Sequence, residues 1–68
     1  MRIKDLRDDN NLTQAEIAAH LHIKQNTYSQ YENEQRQLPL SCLILLAKFY
    51  KTSTDYILGL TDKKEPYT

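Results

Sequence analysis

Apolar residues recur along this chain at the spacing of helices rather than strands. Ile3 and Leu6 stand three apart among Lys4, Asp5, Asp8 and Asp9, which predicts a short amphipathic helix over residues 3–10, stopped at Asn10 and Asn11. In "LTQAEIAAHL", Thr13 and Glu16 have the T-x-x-E spacing of a capping box, with the hydroxyl accepting from an early backbone N–H and the carboxylate reaching back to the Thr amide. A second helix is therefore predicted to begin at Thr13, to turn Ala15, Ile17, Ala18 and Leu21 inward, and to end near His22. "LHIK" leads into a third segment, residues 25–33, on which Tyr28 and Tyr31 share a helix face at i, i+3.

"NEQRQLP", residues 33–39, reads as a connection with Leu38 as its buried anchor and Pro39 just ahead of the next helix. Ser41 is the candidate N-cap of "CLILLAKFYK", where Leu43, Leu46, Ala47 and Tyr50 form the i, i+3, i+4, i+7 stripe of a core helix. Ser53 is placed to cap a last helix over residues 54–58, closed by Gly59. The polar "TDKKEPYT" has no periodicity and is expected to fray. The prediction is an all-α fold: a compact bundle of five short helices over residues 1–60, with a polar C-terminal tail over 61–68.

A chain of 68 residues supports one domain, and at that size only about 60% of the unfolded surface is buried, so the core must be simple. The residues are 40% hydrophobic and 26% charged with one Gly and two Pro, which excludes collagen-like, disordered and low-complexity classes. Cys42 is the only cysteine, so no internal disulfide forms; no secretory signal opens the chain, and the expected compartment is the cytoplasm. The longest apolar run, "CLILLA", is far short of the roughly 20 residues a membrane span needs. Nine Lys+Arg balance nine Asp+Glu, so a nucleic-acid partner would have to be drawn by local placement rather than by net charge.

The run "QNTYSQYENEQRQ", residues 25–37, carries no aliphatic side chain and one positive charge, as a solvated linker would. Its tyrosines at helical spacing favour a helix with a polar outer face instead. "LTQAEIAAHL", "QNTYSQYEN" and "LAKFYKTSTDYIL", in this order and spacing, resemble the Xre/Cro-like helix-turn-helix family of bacterial and phage repressors, of the lambda-repressor-like fold. The resemblance covers residues 3–60. It implies that the third helix enters the major groove of double-stranded DNA while the second crosses the backbone. Gln25, Asn26, Ser29 and Gln30 would then face base edges, and amide side chains suit two-point contacts to adenine. Gln14 resembles the family's phosphate-binding glutamine, with Thr13, Asn33, Gln35 and Arg36 as further phosphate contacts and Lys24 and Thr27 beside them. Arg7 and Glu32 match a pair that in relatives forms a partly buried salt bridge.

The family often carries glycine where this chain has His22, Glu34 and Lys51, so three turns are expected to hold non-glycine residues in left-handed or adjusted backbone. Glu34 also brings a negative charge beside the expected phosphate surface. Leu45 and Phe49 fall outside the core stripe; with Tyr56 they are a candidate surface for pairing two protomers, as relatives pair on two half-sites, or else scattered surface hydrophobes. The implied function is a transcriptional repressor acting by promoter occlusion as a DNA-linked homodimer, with no cofactor and no small-molecule ligand domain. The alternative is a protein-interaction module, an adaptor or antitoxin-like partner, that uses the Leu45, Phe49 and Tyr56 surface and binds DNA weakly.

Other chemistries have little support. His20 and His22 lie two apart, so on a helix they point to different sides, and no acidic or cysteine ligand joins them. Cys42 has no His/Asp constellation and reads as a small packing residue. Asp8 and Asp9 are adjacent rather than opposed across a cleft, so they make no general acid/base pair, and nothing points to an enzyme.

Overall fold

A computed structural model describes residues 1–63; Glu65 to Thr68 and Lys64, the end of the expected fraying tail, lie outside the described residues. Five helices follow in order: α1 Ile3–Asp9, α2 Gln14–His20, α3 Gln25–Glu32, α4 Leu40–Tyr50 and α5 Thr54–Leu58. They wrap one core. Ile3 and Leu6 from α1, Ile17 and Ala18 from α2, Tyr28 and Tyr31 from α3, Leu43, Leu46 and Tyr50 from α4, and Ile57 from α5 are buried together, with Leu21 completing the set. Leu12, Ile23, Leu38, Ala47 and Tyr56 pack against this cluster from its edge. Burial of such side chains contributes about 1.5–3 kcal/mol each, which is what holds together helices too short to persist alone.

All five helices close in the same way. The residue after the last turn is left-handed at Asn11, His22, Glu34, Lys51 and Gly59, with φ of 56°, 58°, 59°, 54° and 82°. At each, its N–H bonds three residues back and the next N–H bonds five back, as in His22 to Ala19 and Ile23 to Ala18, or Lys51 to Lys48 and Thr52 to Ala47. This paired closure satisfies carbonyls that a helix end otherwise leaves open. Only α5 uses glycine for it, so the expectation for His22, Glu34 and Lys51 holds and extends to Asn11.

At the N-terminal ends the expectations divide. Thr13 caps α2 through the full reciprocal capping box, with Glu16 N–H to Thr13 Oγ1 at 3.1 Å and Thr13 N–H to the Glu16 carboxylate at 3.0 Å. The bond from the Thr13 N–H, with the Thr13 hydroxyl beside it, holds the Glu16 carboxyl below its ordinary value. Ser53 caps α5 by accepting from Tyr56 N–H at 3.0 Å. Ser41 does not cap α4: the helix starts at Leu40 with Pro39 in the cap position at φ −62°, ψ 149°, and no side chain accepts there. Ala15 does not face the core either but is exposed on the outer side of α2.

Candidate nucleic-acid interface

α2 and α3 are joined by the left-handed turn at His22, and their pairing turns one side of α3 into the wall of a shallow groove. Tyr28 and Tyr31 fill the core side of α3, which leaves the opposite side to Gln25, Asn26, Ser29 and Gln30. These four line the groove together with Gln14 from α2 and Gln35 from beyond α3. Every lining side chain is an amide or a hydroxyl. The surface thus offers donors and acceptors at close quarters without a formal charge, the pattern that reads an edge by hydrogen-bond geometry.

The other expected contact residues lie around this groove rather than in it. Lys24 is the exposed N-cap residue of α3, Thr27 is partly buried on the flank of α3, and Asn33 is its exposed C-cap residue. Thr13 spends its N–H and one hydroxyl lone pair on the capping box, with the hydroxyl facing the Glu16 carboxylate as well. Arg36, next to the groove residue Gln35, lines a second cleft with Met1, Glu34, Gln37, Leu38, Leu43 and Leu58. Glu34 is paired: the N-terminal ammonium lies 3.2 Å from its Oε1, so its charge does not stand alone beside the groove.

A polar network fixes the back of the groove. Arg7 Nε and Nη2 donate to Glu32 Oε2 and Oε1 at 2.6 and 3.2 Å, while Arg7 Nη1 donates to the Leu12 carbonyl at 2.9 Å. Gln14 Nε2 donates to Glu32 Oε1 at 3.1 Å. The Glu32 side chain is only 3% exposed and that of Arg7 12%. Burial pushes the Glu32 carboxyl toward its neutral form, but donors from Arg7 and Gln14, with Tyr28 close by, outweigh it and hold the group below its ordinary value. Hydrogen bonding to Glu32 raises Arg7 in turn. The Tyr28 hydroxyl is buried in the field of Glu32 but outside hydrogen-bond geometry, and the Tyr50 hydroxyl is likewise buried without a partner. Burial pushes Tyr28 far above its ordinary value and Tyr50 up to about 12. The Gln14 and Leu12 links were not foreseeable from spacing, because nothing in the chain marks which distant donors converge on one carboxylate.

Leu45 and Phe49 are exposed one turn apart on α4, with the Phe49 ring 4.3 Å from that of His20 and 5.1 Å from that of Tyr50. Tyr56 is held differently, beneath the Arg2 guanidinium at 4.3 Å. Leu40 and Ile44 are exposed on the other flank of α4, and Leu58 and Leu60, later in the chain, are exposed too. Among the described residues no group of His, Cys, Asp and Glu is placed to hold a metal ion, and no helix is long and apolar enough to cross a membrane.

The helix-turn-helix family pattern matches residues 3–57, from the first core residue of α1 to the buried Ile57 of α5. The chain belongs to the helix-turn-helix family. It is 42% identical over 65 residues to an uncharacterized HTH-type transcriptional regulator, YobD, of Bacillus subtilis, a match covering 96% of this chain and 58% of that protein. It is 40% identical over 58 residues to the HTH-type transcriptional regulator ImmR of the same organism, covering 85% of this chain and 46% of that one. The chain thus spans about half the length of these curated relatives. No solved structure matches it. In helix-turn-helix terms α2 and α3 are the paired helices, and the amide-lined groove lies on the second of them.

Proposed function

We propose that this chain is a sequence-specific DNA-binding transcriptional regulator that sets α3 in the major groove. The observation that carries this reading is the convergence of Gln14, Gln25, Asn26, Ser29, Gln30 and Gln35 on one uncharged groove along the second helix of the pair. Gln25, Asn26, Ser29 and Gln30 read base edges; Gln14, through its remaining amide N–H, and Gln35 in the groove wall reach phosphate, with Thr13, Lys24, Thr27 and Asn33 on the groove's margin. Arg36, on the second cleft, meets the phosphates of an adjoining stretch of backbone or none. The names of both relatives, transcriptional regulators, agree with this reading.

Its mode is repression by occlusion of a promoter, as two protomers on two half-sites about one helical turn apart. Leu45 and Phe49 on the exposed side of α4 are the pairing surface we favour; Tyr56, already covered by Arg2, contributes less. Selection of bound duplexes from a random pool at moderate salt tests the function. A shared motif with two-fold symmetry is the expected outcome, and recovery of no motif by folded protein overturns it.

A further inference from the structure

Glu32 is buried at the end of α3, where it never meets the groove surface, and yet one of its donors comes from the groove wall. Joining α1 to α3 needs only the two bonds from Arg7. The third, from Gln14 Nε2 to Oε1 at 3.1 Å, has a different consequence. A glutamine amide on three rotatable bonds ordinarily turns freely at a surface and can exchange its carbonyl for its NH2. With one N–H committed to a carboxylate, which only accepts, the amide plane is fixed and the exchange is forbidden. Arg7 is in turn held by the Leu12 carbonyl, immediately before the Thr13 cap, so acceptor and glutamine share one rigid frame.

We infer that Glu32 is a positioning residue for Gln14: it fixes which face of the Gln14 amide the groove presents, and so contributes to nucleic-acid affinity without touching the ligand. This rests on the DNA-reading role proposed above. Glu32 Oε1 accepts from both Arg7 Nη2 and Gln14 Nε2, and Glu32→Gln leaves one neutral oxygen for the donors that the carboxylate held with two. Set on Arg7 Nε, that oxygen turns an NH2 against Gln14 and breaks the contact; set in the place of Oε1, it leaves Gln14 a weaker bond to a neutral acceptor.

Two measurements on the whole chain decide the matter. In amide NMR of the free protein, the Gln14 side-chain N–H that donates to Glu32 is expected downfield of its free-amide position and protected from exchange, moving back toward that position in Glu32→Gln. Unchanged shifts overturn the inference without any DNA being present. In a binding cycle on the selected duplex, Glu32→Gln is expected to weaken binding about fivefold to tenfold in the native background, a typical coupling for residues in contact, and less than twofold in Gln14→Ala. Equal losses in both backgrounds would mean that Glu32 acts only through the fold. Glu32→Asp, which keeps a carboxylate opposite Arg7 but withdraws it from Gln14, replaces Glu32→Gln in both measurements if the latter shows no cooperative melt. A native chain that selects no duplex refutes the DNA reading, whereas a native chain that binds while Gln14 and Glu32 act additively refutes only the positioning role.

Discussion

Replacing Lys51 with glycine is expected to stabilise this protein, although the substitution deletes a side chain and lies at the end of its most hydrophobic helix. Lys51 closes α4 at φ 54°, ψ 49°, the centre of the left-handed well, with its side chain in solvent. Holding an L-residue there costs about 1–2 kcal/mol from the approach of Cβ to the carbonyl oxygen. Glycine removes that cost and returns about 0.5–1 kcal/mol through the greater freedom of its unfolded chain. The net gain is about 0.5–1 kcal/mol, or about 3–6 °C in the midpoint of a thermal melt for a domain this small. Lys51→Ala keeps the Cβ and is expected to change little, and Lys51→Asn, tolerant of this backbone, to fall between. Lys48→Gly, three residues earlier inside the helix, is expected to lose about 1 kcal/mol. Circular-dichroism melts of the four variants provide the check. A gain in Lys51→Ala equal to that in Lys51→Gly would refute the backbone account and assign the effect to loss of the lysine. The closures at His22 and Glu34 predict the same sign, with a smaller gain at Glu34 because its contact with the N-terminal ammonium is lost.

Arg7→Ala leaves a carboxylate that is nearly inaccessible without its main donor, and is expected to cost about 3–5 kcal/mol in urea unfolding. Glu32 and Glu16 are both held below the ordinary carboxyl value, so the unfolded chain takes up protons first: their contribution is complete above about pH 4.3 and is lost as the pH falls through the folded values, which Glu32→Gln abolishes in part. Tyr28 and Tyr50 are raised by burial, so stability is expected to decline once the pH passes about 10, where the unfolded tyrosines ionise and the folded ones do not; urea midpoints across the alkaline range measure this. On selected DNA, Gln25→Ala or Gln30→Ala is expected to relax preference at one base pair by about 1–3 kcal/mol, seen as a flattened column in a repeat selection. Lys24→Ala is expected instead to weaken all sequences alike and reduce the salt slope by about one, and Arg36→Ala to do so only if DNA extends to the second cleft.

The helices and the core were legible in the sequence because both depend on local pattern. The T-x-x-E spacing fixed the start of α2 at Thr13, and the stripe through Leu43, Leu46 and Tyr50 is the buried side of α4. The left-handed closures at His22, Glu34 and Lys51 were expected through the family resemblance, from the glycines that relatives often carry there. Ser41 misled because serine is favoured at a cap but not required there; Pro39 already has the extended backbone of that position, so α4 starts before the hydroxyl can act. Ala15 misled because alanine is small enough for either side of a helix. In the groove, Gln25, Asn26, Ser29 and Gln30 were legible as the side of α3 opposite its tyrosines. What escaped was the meeting of residues far apart in the chain: Gln14 with Glu32, 18 positions on, and the N-terminus with Glu34, 33 positions on. No periodicity records where separate helices will aim their polar ends.

The Arg2 N–H donates to the Ile57 carbonyl at 2.8 Å, and its guanidinium reaches Asp62, 60 positions away. The beginning of the chain is thereby stitched to the last helix, with Ile3 and Ile57 buried in the same core. A truncation before Ile57 therefore removes the clasp on α1 as well as a buried side chain of the shared core.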